Sequence, residues 1–389
     1  MKIGLFVDAF YPMIDGVINV VDNFAKELSN YADVTVFCPL KKGAIITDKP
    51  YKIVGCKCAS LPYLDYPIPI PFFDKKFIKT LKDYKLDVLH VHSPFNLCKM
   101  GIKYAKKHKV PIVGTIHSQY KKDFKKALKF NFATNIATSL VVSFYNSCDV
   151  CFTVNEGMKN IYQNELKLKA PCHILPNATS HKPVENLQNA ANQINSLYNL
   201  EDSELILLYV GRITFQKNLE FILEALYILK EKGVKYKMLF VGSGCDEKKL
   251  KNKICELNLN DRVILCGKIT DVDLLQKIYA RAKLLLFPSL YDANSLVQIE
   301  SACQKTPALF LEGATTACQI TKDVNGFLSS QTPTAYAKEI IRIIKDDNLY
   351  NKVCEGCFND LYFTWEKTVK SAYHKYKQLI EEKSKYKNV

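Results

Sequence analysis

The sequence predicts an α/β protein with two domains, each built on a doubly wound parallel sheet. Along the 389 residues, short runs of aliphatic and β-branched residues alternate with amphipathic helical segments. This alternation is typical of parallel strands whose connecting helices cover both faces of a sheet. The pattern runs through the first half of the chain, and it begins again after a polar, Asn-rich segment at 177–203.

The first half contains five predicted strands. Each is a run of apolar and β-branched residues bounded by Gly, Pro, Asp or Ser. They are the residues 2–8, 33–38, 88–93, 112–117 and 150–155. Residues 17–31 follow the first strand and carry apolar side chains at helical spacing. We therefore expect a first Rossmann-like domain over 1–180.

The second half repeats the pattern. Its predicted strands are 205–210, 237–242, 262–267 and 283–288. We expect a linker at 181–203, where no strand signal occurs, and a second Rossmann-like domain over 204–364. Ligands of such sheets bind beyond the carboxyl ends of the strands, so two sheets predict a site in a cleft between them.

The composition is that of a globular protein, with 48% hydrophobic and 24% charged residues. No run approaches the roughly 18 to 20 apolar residues that span a bilayer. Asp8 and Asp15 interrupt the apolar N-terminal segment before a signal-peptide core could form. These features predict a cytoplasmic protein.

The 14 cysteines are scattered and are expected to be reduced thiols. Two CxxC pairs occur, Cys148/Cys151 and Cys354/Cys357. A structural zinc site needs four ligands that meet at one point, and spacing alone does not establish this. We predict no metal site.

The formal charge of +15 (54 basic against 39 acidic residues) suggests a nucleic acid, an anionic membrane or a phosphorylated substrate as partner. Lysines concentrate at 75–85, 103–109 and 120–130. In the last of these, helical spacing would place Phe124 and Leu128 on one face, which Phe132 would continue. This predicts either a helix at a membrane interface or a solvated helix that packs its apolar side on the core. No recognised nucleic-acid module appears, so no nucleic-acid partner is expected.

Several loops after predicted strands carry residues suited to an anionic ligand. Gly16 lies at a helix start, where backbone amides and the helix dipole favour a phosphate. Arg212 and Lys217 place two cations on one loop after the strand 205–210. His117 ends the strand 112–117, and this position favours it over the other six histidines. The glycines at 242–244 are interpreted mainly as a structural turn.

The segment SLYDANSLVQIE (289–300) follows the strand 283–288 and sets Asp292 and Glu300 eight positions apart. The two acids are either on the solvated side of a helix or part of a sugar-nucleotide site. A GxGxxG pattern is absent, which argues against a dehydrogenase.

Taken together, these motifs resemble glycosyltransferase family 4, whose members are retaining enzymes of the GT-B fold. The resemblance covers nearly the whole chain and rests on PMIDGV, HVHSP, PIVGTIH, the LPN at 175–177, VGRITFQKN and FPSLYDANSLVQIESA. The last motif matches the E-x7-E signature of the family with two departures. Asp292 replaces the first glutamate, and Asn294 and Ser295 replace the usual Phe-Gly.

The resemblance implies a role for each site residue. Arg212 and Lys217 would stabilise the departing diphosphate, His117 would lie near the transferred sugar, and Asp292 would contact sugar hydroxyls. Glu300 would accept hydrogen bonds from the donor ribose. The remaining donor contacts would come from the phosphate loop, the base-flanking pair and the turn amides: Gly16, Lys268, Ile269, Ala293, Asn294, Ser295 and Leu296.

The resemblance further implies transfer of a hexose, with retained anomeric configuration, from a UDP- or GDP-linked sugar to a hydroxyl acceptor. No cofactor or divalent metal is expected. The acceptor would be a membrane glycolipid of the diacylglycerol type or an intermediate of surface polysaccharide. The enzyme would then be peripheral on the inner face of the plasma membrane, bound to its anionic surface. In such an enzyme, the domain 1–180 would be on the acceptor side and the domain 204–364 would bind the nucleotide sugar. A last helix at 365–389 would cross back to the first domain.

Two alternatives remain open at this point. A sugar-nucleotide epimerase shares the two-domain fold and needs no acceptor. A non-catalytic glycosyltransferase-like subunit is suggested by Asp292 in place of glutamate.

Overall fold

A computed structural model describes residues 1–11, 13, 16–41, 46, 48–59, 67–128 and 130–385. The chain divides into two compact units. The N-terminal unit comprises Met1–Ala178 and Thr364–Val389, and the C-terminal unit comprises Thr179–Phe363. Each contains a parallel sheet flanked by helices, which confirms the predicted α/β class with two doubly wound sheets.

The main sheet of the N-terminal unit has seven strands among the described residues, in the order β3-β2-β1-β6-β7-β8-β9, and all of its pairings are parallel. A short antiparallel pair, β4 and β5, lies outside it. The strands of the unit are β1 (Lys2–Phe6), β2 (Asp33–Pro39), β3 (Lys52–Cys56), β4 (Cys58–Ala59), β5 (Ile68–Pro69), β6 (Val88–Val91), β7 (Ile112–Ile116), β8 (Val150–Thr153) and β9 (Cys172–Ile174). The strand order reverses between β1 and β6, which is the point where open α/β sheets form a crevice.

Helices alternate with these strands. They are α1 (Gly16–Leu28), α2 (Lys75–Asp83), α3 (Asn96–His108), α4 (Tyr120–Leu128), α5 (Asn131–Tyr145) and α6 (Glu156–Asn160). The sequence fixes some of their starts directly, as at α2, where the Asp74 side chain accepts a hydrogen bond of 3.1 Å from the amide of Phe77.

The sheet of the C-terminal unit has six parallel strands among the described residues, in the order β12-β11-β10-β13-β14-β15. Its strands are β10 (Ile206–Val210), β11 (Lys237–Val241), β12 (Val263–Gly267), β13 (Leu284–Phe287), β14 (Ala308–Leu311) and β15 (Phe327–Ser329). Its helices are α7 (Leu187–Tyr198), α8 (Leu219–Glu231), α9 (Glu247–Glu256), α10 (Val272–Arg281), α11 (Leu296–Cys303), α12 (Pro333–Lys345) and α13 (Asp347–Leu361).

Apolar residues lie on both faces of this sheet and form two cores. Leu207 and Tyr209 of β10 belong to the core beneath α8 and α12. Their neighbours Ile206 and Leu208 point to the opposite face and belong to the core beneath α7 and α10. The uninterrupted apolar run of β10 therefore reflects a strand that is covered on both sides.

The helix α14 (Trp365–Lys385) belongs to the N-terminal unit. Its buried residues include Trp365, Val369 and Tyr376. The Tyr376 hydroxyl lies 2.6 Å from Nδ1 of His90 on β6, and Lys383 forms a 2.7 Å ion pair with Asp149. The end of the chain is thus tied to the first sheet.

Two expectations from the sequence need correction. The segment 181–203, interpreted as a linker, belongs to the C-terminal unit and contains α7, whose Ile194 is fully buried in a core. This segment is rich in Asn and Gln, so the few apolar residues that pack into the core were not recognised as one side of a helix. Phe132 does not continue the face of Phe124 and Leu128, because α4 ends at Leu128 and α5 begins at Asn131. Within the described residues, no helix is both long enough and apolar enough to cross a membrane.

Candidate functional site

In the C-terminal unit, most of the predicted site residues follow the carboxyl ends of β10, β12 and β13. These three strands are parallel members of one sheet. Parallel strands end at the same edge, so their following loops share that edge.

The loop after β10 is held by several hydrogen bonds. The buried Tyr209 hydroxyl donates to the backbone oxygen of Arg212 at 3.0 Å. Lys217 ends a single 3-10 turn, Phe215–Lys217. The side chain of Asn218 then donates to the backbone oxygen of Pro288 at 3.2 Å, which ties this loop to the end of β13. Arg212 itself is exposed.

The glycines at 242–244 have a structural role, because their backbone packs directly against the Arg212 loop. The amide of Gly211 donates to the oxygen of Val241 at 2.9 Å, and that of Ile213 donates to the oxygen of Ser243 at 3.0 Å. A Cβ atom at Gly242 would lie 1.8 Å from the backbone oxygen of Gly211. No side chain fits there, so glycine is required for the close approach of the two loops.

Lys217 and Asp292 form an ion pair that joins the loop after β10 to the loop after β13. Their side chains are 23% and 15% exposed, so the pair is largely shielded from water. The Lys217 ammonium also lies 5.7 Å from the centre of the Tyr291 ring. Burial, with a smaller contribution from the negative charge of Asp292, raises the pKa of the Tyr209 hydroxyl, which remains neutral. The structure thus brings together two residues that the sequence separates by 75 positions.

The turn between Asp292 and α11 accommodates Asn294 and Ser295, the second departure from the family signature. Ser295, which replaces the usual glycine, has φ −127° and ψ 121°, a conformation open to any residue. The loss of glycine therefore introduces no backbone strain. The Ser295 amide donates to Oδ1 of Asn294 at 2.9 Å, so one of the four amides expected to hold the donor, those of Ala293 to Leu296, is engaged within the turn.

Glu300 lies on α11, partly buried, and accepts a hydrogen bond of 2.8 Å from the hydroxyl of Tyr279. Burial raises the pKa of Glu300 to about 7, although the hydrogen bond from Tyr279 acts in the opposite direction. Tyr279 is a residue that the sequence did not single out. It is fully buried on α10, and its backbone oxygen accepts a 2.7 Å hydrogen bond from Thr306. It therefore holds the Glu300 carboxyl from a fixed position.

Lys268 and Ile269 directly follow β12. Lys268 is exposed, whereas Ile269 packs against the core beneath α7 and α10. This leaves the Lys268 side chain and the backbone of both residues at the same sheet edge as Arg212.

The two remaining predicted residues, Gly16 and His117, belong to the N-terminal unit. Gly16 is the exposed first residue of α1, and a Cβ atom there would meet no atom of the described residues within 4 Å. Asp15, which precedes it, lies outside the described residues. His117 follows β7, and its Nε2 lies 3.1 Å from Nδ1 of His92.

His117 is the outer member of a column of three histidines. The rings of His92 and His117 stack with centroids 5.3 Å apart, and those of His90 and His92 lie 4.1 Å apart. His90 also lies 2.6 Å from the hydroxyl of Thr115. Burial lowers the pKa of His90 to about 3 and that of His117 to about 4, and it lowers the pKa of His92 well below its ordinary value. At neutral pH the column is therefore uncharged, and only His117 of the three is partly exposed.

Within the described part of the chain, no group of three or more His, Cys, Asp or Glu side chains is arranged to hold a metal ion. In the CxxC pair of α13, Sγ of Cys357 lies 3.2 Å from the backbone oxygen of Cys354, a contact within one helix turn. Both thiols of this pair are free.

Two protein families match the chain and together cover most of it. Residues 14–182 match Glycosyltransferase Family 4, and residues 192–356 match Glycosyl transferases group 1. The first match contains His117, and the second contains Arg212, Lys217, Asp292 and Glu300.

Relatives with assigned names include two alpha-monoglucosyldiacylglycerol synthases. That of Streptococcus pneumoniae is 25% identical over 79% of this chain and 70% of its own length. That of Acholeplasma laidlawii is 24% identical over 79% of this chain and 80% of its own length. Among solved structures, sucrose-phosphate synthase from Thermosynechococcus elongatus has a TM-score of 0.80 at 19% identity and covers 98% of this chain and 99% of that one. The Anabaena protein HepE in complex with UDP has a TM-score of 0.76 at 14% identity and covers 97% and 100%.

Proposed function

The chain belongs to the family 4-like glycosyltransferases of the GT-B fold, and from this premise we propose that it transfers a hexose from a nucleoside diphosphate sugar to a lipid hydroxyl. The observation that carries the proposal is the group of side chains at the sheet edge of the C-terminal unit. There, Lys217 is paired with Asp292, and Arg212 lies on the same loop as Lys217.

The donor diphosphate is bound by Arg212 and Lys217. As the bond to the sugar breaks, negative charge grows on the diphosphate, and preorganised cations in a shielded site stabilise it. The ion pair with Asp292 holds the Lys217 ammonium in place before the donor arrives. Gly16 is the first residue of α1 and carries no side chain, so a phosphate can approach the helix amides there.

The rest of the donor is recognised by its hydroxyls and base. Asp292 contacts the hexose, and Glu300, positioned by Tyr279, accepts hydrogen bonds from the ribose. In the N-terminal unit, His117 is the residue that the family resemblance assigns to a sugar hydroxyl. The amides of Ala293, Asn294 and Leu296 complete the sugar and phosphate contacts, whereas that of Ser295 is engaged within the turn. Lys268 and Ile269 flank a uracil or guanine base.

The reaction retains the anomeric configuration through front-face displacement. The bond between the sugar C1 and the phosphate oxygen breaks while the acceptor oxygen bonds to C1 on the same face. The acceptor proton passes to the departing phosphate oxygen, so the products are a nucleoside diphosphate and a glycoside. The two cations supply the charge stabilisation, and no cofactor or divalent metal is required.

The acceptor is a membrane glycolipid of the diacylglycerol type or a lipid-linked intermediate of surface polysaccharide. The two relatives named as alpha-monoglucosyldiacylglycerol synthases support this class. An acceptor of this kind, together with the charge of +15, favours a cytoplasmic enzyme that is peripheral on the anionic inner face of the plasma membrane.

The test is nucleotide release by the purified protein from a panel of UDP- and GDP-linked sugars, with EDTA present, with and without membrane lipid extract. We expect one donor to release its nucleotide faster when lipid is added. Conversion of a donor into another sugar nucleotide without lipid would instead identify an epimerase. Absence of both release and donor binding would indicate a non-catalytic subunit.

A further inference from the structure

The helix α5 of the N-terminal unit exposes three large apolar side chains on one face. Phe132, Ile136 and Leu140 are 78%, 46% and 64% exposed. Their spacing of four residues aligns them along the helix. We call these three residues the α5 stripe. Phe130, which precedes the helix, is also 73% exposed.

The α5 stripe is not the packing side of the helix. That side consists of residues such as Thr134, Thr138, Val141 and Tyr145, all of which are buried. The sequence of α5, NFATNIATSLVVSFY, contains no charged residue. An ordinary surface helix carries charged side chains on its outer face, so this one is unusual for contact with water.

Positive charge lies beside the stripe. The neighbouring α4, YKKDFKKAL, carries four exposed lysines and one aspartate in nine residues. Lys121 lines a surface cavity of about 360 Å³ together with Asn135 and Ser139, which are the sequence neighbours of Ile136 and Leu140. The lysine-rich helix and the outer face of α5 therefore share one surface.

We propose that the α5 stripe inserts into an anionic lipid bilayer while the α4 lysines contact the phosphate head groups. Apolar side chains flanked by lysines match the two layers of such a surface, hydrocarbon and anionic head group. The charge complementarity favours anionic lipid over an apolar protein groove as the occupant. The inference rests on the proposed function for its purpose, since a bilayer-bound enzyme meets its lipid acceptor directly.

The main test compares sedimentation of the protein with vesicles of phosphatidylcholine and of phosphatidylglycerol. The variant Phe132→Ser/Ile136→Ser/Leu140→Ser removes the α5 stripe without touching its packing side. We expect the wild type to bind the anionic vesicles and the variant to bind them at least about tenfold more weakly. The matched control is Leu187→Ser/Leu197→Ser, which changes two exposed leucines of α7 (60% and 56% exposed) and leaves binding intact.

A second arm tests the electrostatic contribution. Lys121→Gln/Lys125→Gln removes two exposed lysines of α4. We expect weaker binding to phosphatidylglycerol vesicles at low salt, and a smaller difference from the wild type at about 0.5 M salt, where surface charges are screened. Equal binding of wild type and variant at low salt would contradict the proposed role of α4.

A third arm reports insertion directly. The chain has a single tryptophan, the buried Trp365, so a new indole can be followed against a fixed background. Phe132→Trp should show a blue-shifted emission and quenching by brominated lipid when anionic vesicles are added. Leu187→Trp should show neither change.

The outcomes separate this inference from the proposed function. Nucleotide release without lipid needs only the donor site, so the stripe variant should match the wild type in that assay. Vesicle binding without any donor turnover would uphold the membrane surface and refute the proposed activity. Failure of the wild type to bind anionic vesicles would overturn the inference, as would unchanged binding by the stripe variant. A lipid-free dimer that the stripe variant dissociates would assign the face to a second copy of the chain instead.

Discussion

At the scale of single residues, the ion pair between Lys217 and Asp292 bears on how the proposed donor would bind. The carboxylate balances the ammonium while no diphosphate is present. In the proposed function, a bound donor brings its own negative charge to the same cation, and Asp292 becomes available for a sugar hydroxyl. The pair thus keeps a largely shielded cation from being left without a counter-charge.

Loss of either cation should reduce turnover strongly. Arg212→Ala and Lys217→Ala should each lower turnover by about 10²–10³-fold, the range for losing one preorganised charge-stabilising group. The measurement is nucleotide release at saturating donor. Lys235→Ala, an exposed lysine just before the amino end of β11, is the control and should leave turnover unchanged. If either site variant turns over at the wild-type rate, the replaced residue does not stabilise the departing diphosphate.

Glu300 should make donor affinity depend on pH. Its pKa of about 7 means that the carboxylate is lost as the pH falls through 7, so hydrogen bonds accepted from the ribose weaken in that direction. We expect binding of the intact sugar nucleotide to be about tenfold weaker at pH 6 than at pH 8. Calorimetry on wild type and Glu300→Gln measures this, and the variant should bind weakly at both pH values. Glu224→Gln, an exposed acid of α8, should keep the wild-type profile. Equal affinity at the two pH values in the wild type would contradict the ribose role.

The sequence predicted Lys217, Asp292 and Glu300 as site candidates because family motifs mark them. It could not predict Tyr279 or Tyr209. Tyr279 reaches Glu300 across 21 positions through the packing of two helices, and Tyr209 looks like any other residue of a buried strand. Residues that position others carry no local signal, because their role depends on tertiary contacts.

At the scale of elements, the loops after β10 and β11 of the C-terminal unit are in close backbone contact, so neither can move alone. Gly242→Ala would force a Cβ atom into the backbone oxygen of Gly211, so the loop that carries Arg212 must move. We expect the unfolding free energy to fall by about 1–3 kcal/mol, together with a loss of turnover. Chemical denaturation and nucleotide release measure the two effects.

The control for this change is Gly233→Ala, which also has a positive φ (72°) but meets no atom within 4 Å. It should cost about 1 kcal/mol through backbone strain and leave turnover intact. Equal losses of turnover in both variants would show that the contact between the loops does not position Arg212.

The histidine column should make the N-terminal unit sensitive to acid. The folded pKa values of His90 and His92 lie far below the ordinary value of about 6.5, so the unfolded chain binds more protons below that pH. The free energy of unfolding therefore has its full value above about pH 7 and falls as the pH drops. At pH 5 the loss is about 2 kcal/mol per buried histidine. Denaturant titrations at both pH values should show a smaller pH effect in His92→Gln than in wild type. His374→Gln, an exposed residue of α14, should leave the pH effect as it is. If the free energy of unfolding of His92→Gln depends on pH as strongly as that of the wild type, the histidine column is not the cause of the pH dependence.

Element prediction succeeded for most strands of the two main sheets. The observed β1, β2, β6, β7, β8 and β10–β13 all lie within or near the predicted runs. The strands β3, β14 and β15 were missed, although β14 is fully buried. The strands β4, β5 and β9 were missed as well, since two or three residues are too few to show a period. Helix α7 was missed because a helix rich in Asn and Gln has the composition of a linker. Helical spacing also did not predict that α4 ends at Leu128 and that α5 begins at Asn131.

At the scale of the whole molecule, the N-terminal unit depends on both ends of the described chain. A chain that stops at Phe363 lacks α14 and with it the buried Trp365, Val369 and Tyr376. We expect this truncation to unfold the N-terminal unit while residues 179–363 keep a cooperative thermal transition. A chain that ends at Lys385 retains α14 and should behave as the wild type. Calorimetry distinguishes the two, and two intact transitions in the shorter chain would show that α14 is dispensable.

The two-sheet architecture was predictable because the alternation of strand and helix signals occurs twice. The pairing of α14 with the first sheet came from the family resemblance rather than from periodicity. The spacing of apolar residues indicates which side of a helix is buried, but it does not indicate which unit packs against that side. The partner of Tyr376, for example, is His90, 286 positions away.

This return of the chain has a consequence for biosynthesis. A ribosome completes residues 179–363 before it makes α14. The whole C-terminal unit is therefore available before the helix that completes the N-terminal unit. Domains commonly fold in the order in which they emerge. Here the unit that emerges first is the one that must wait, with His90 lacking the tyrosine hydroxyl that it binds, until the final helix leaves the exit tunnel.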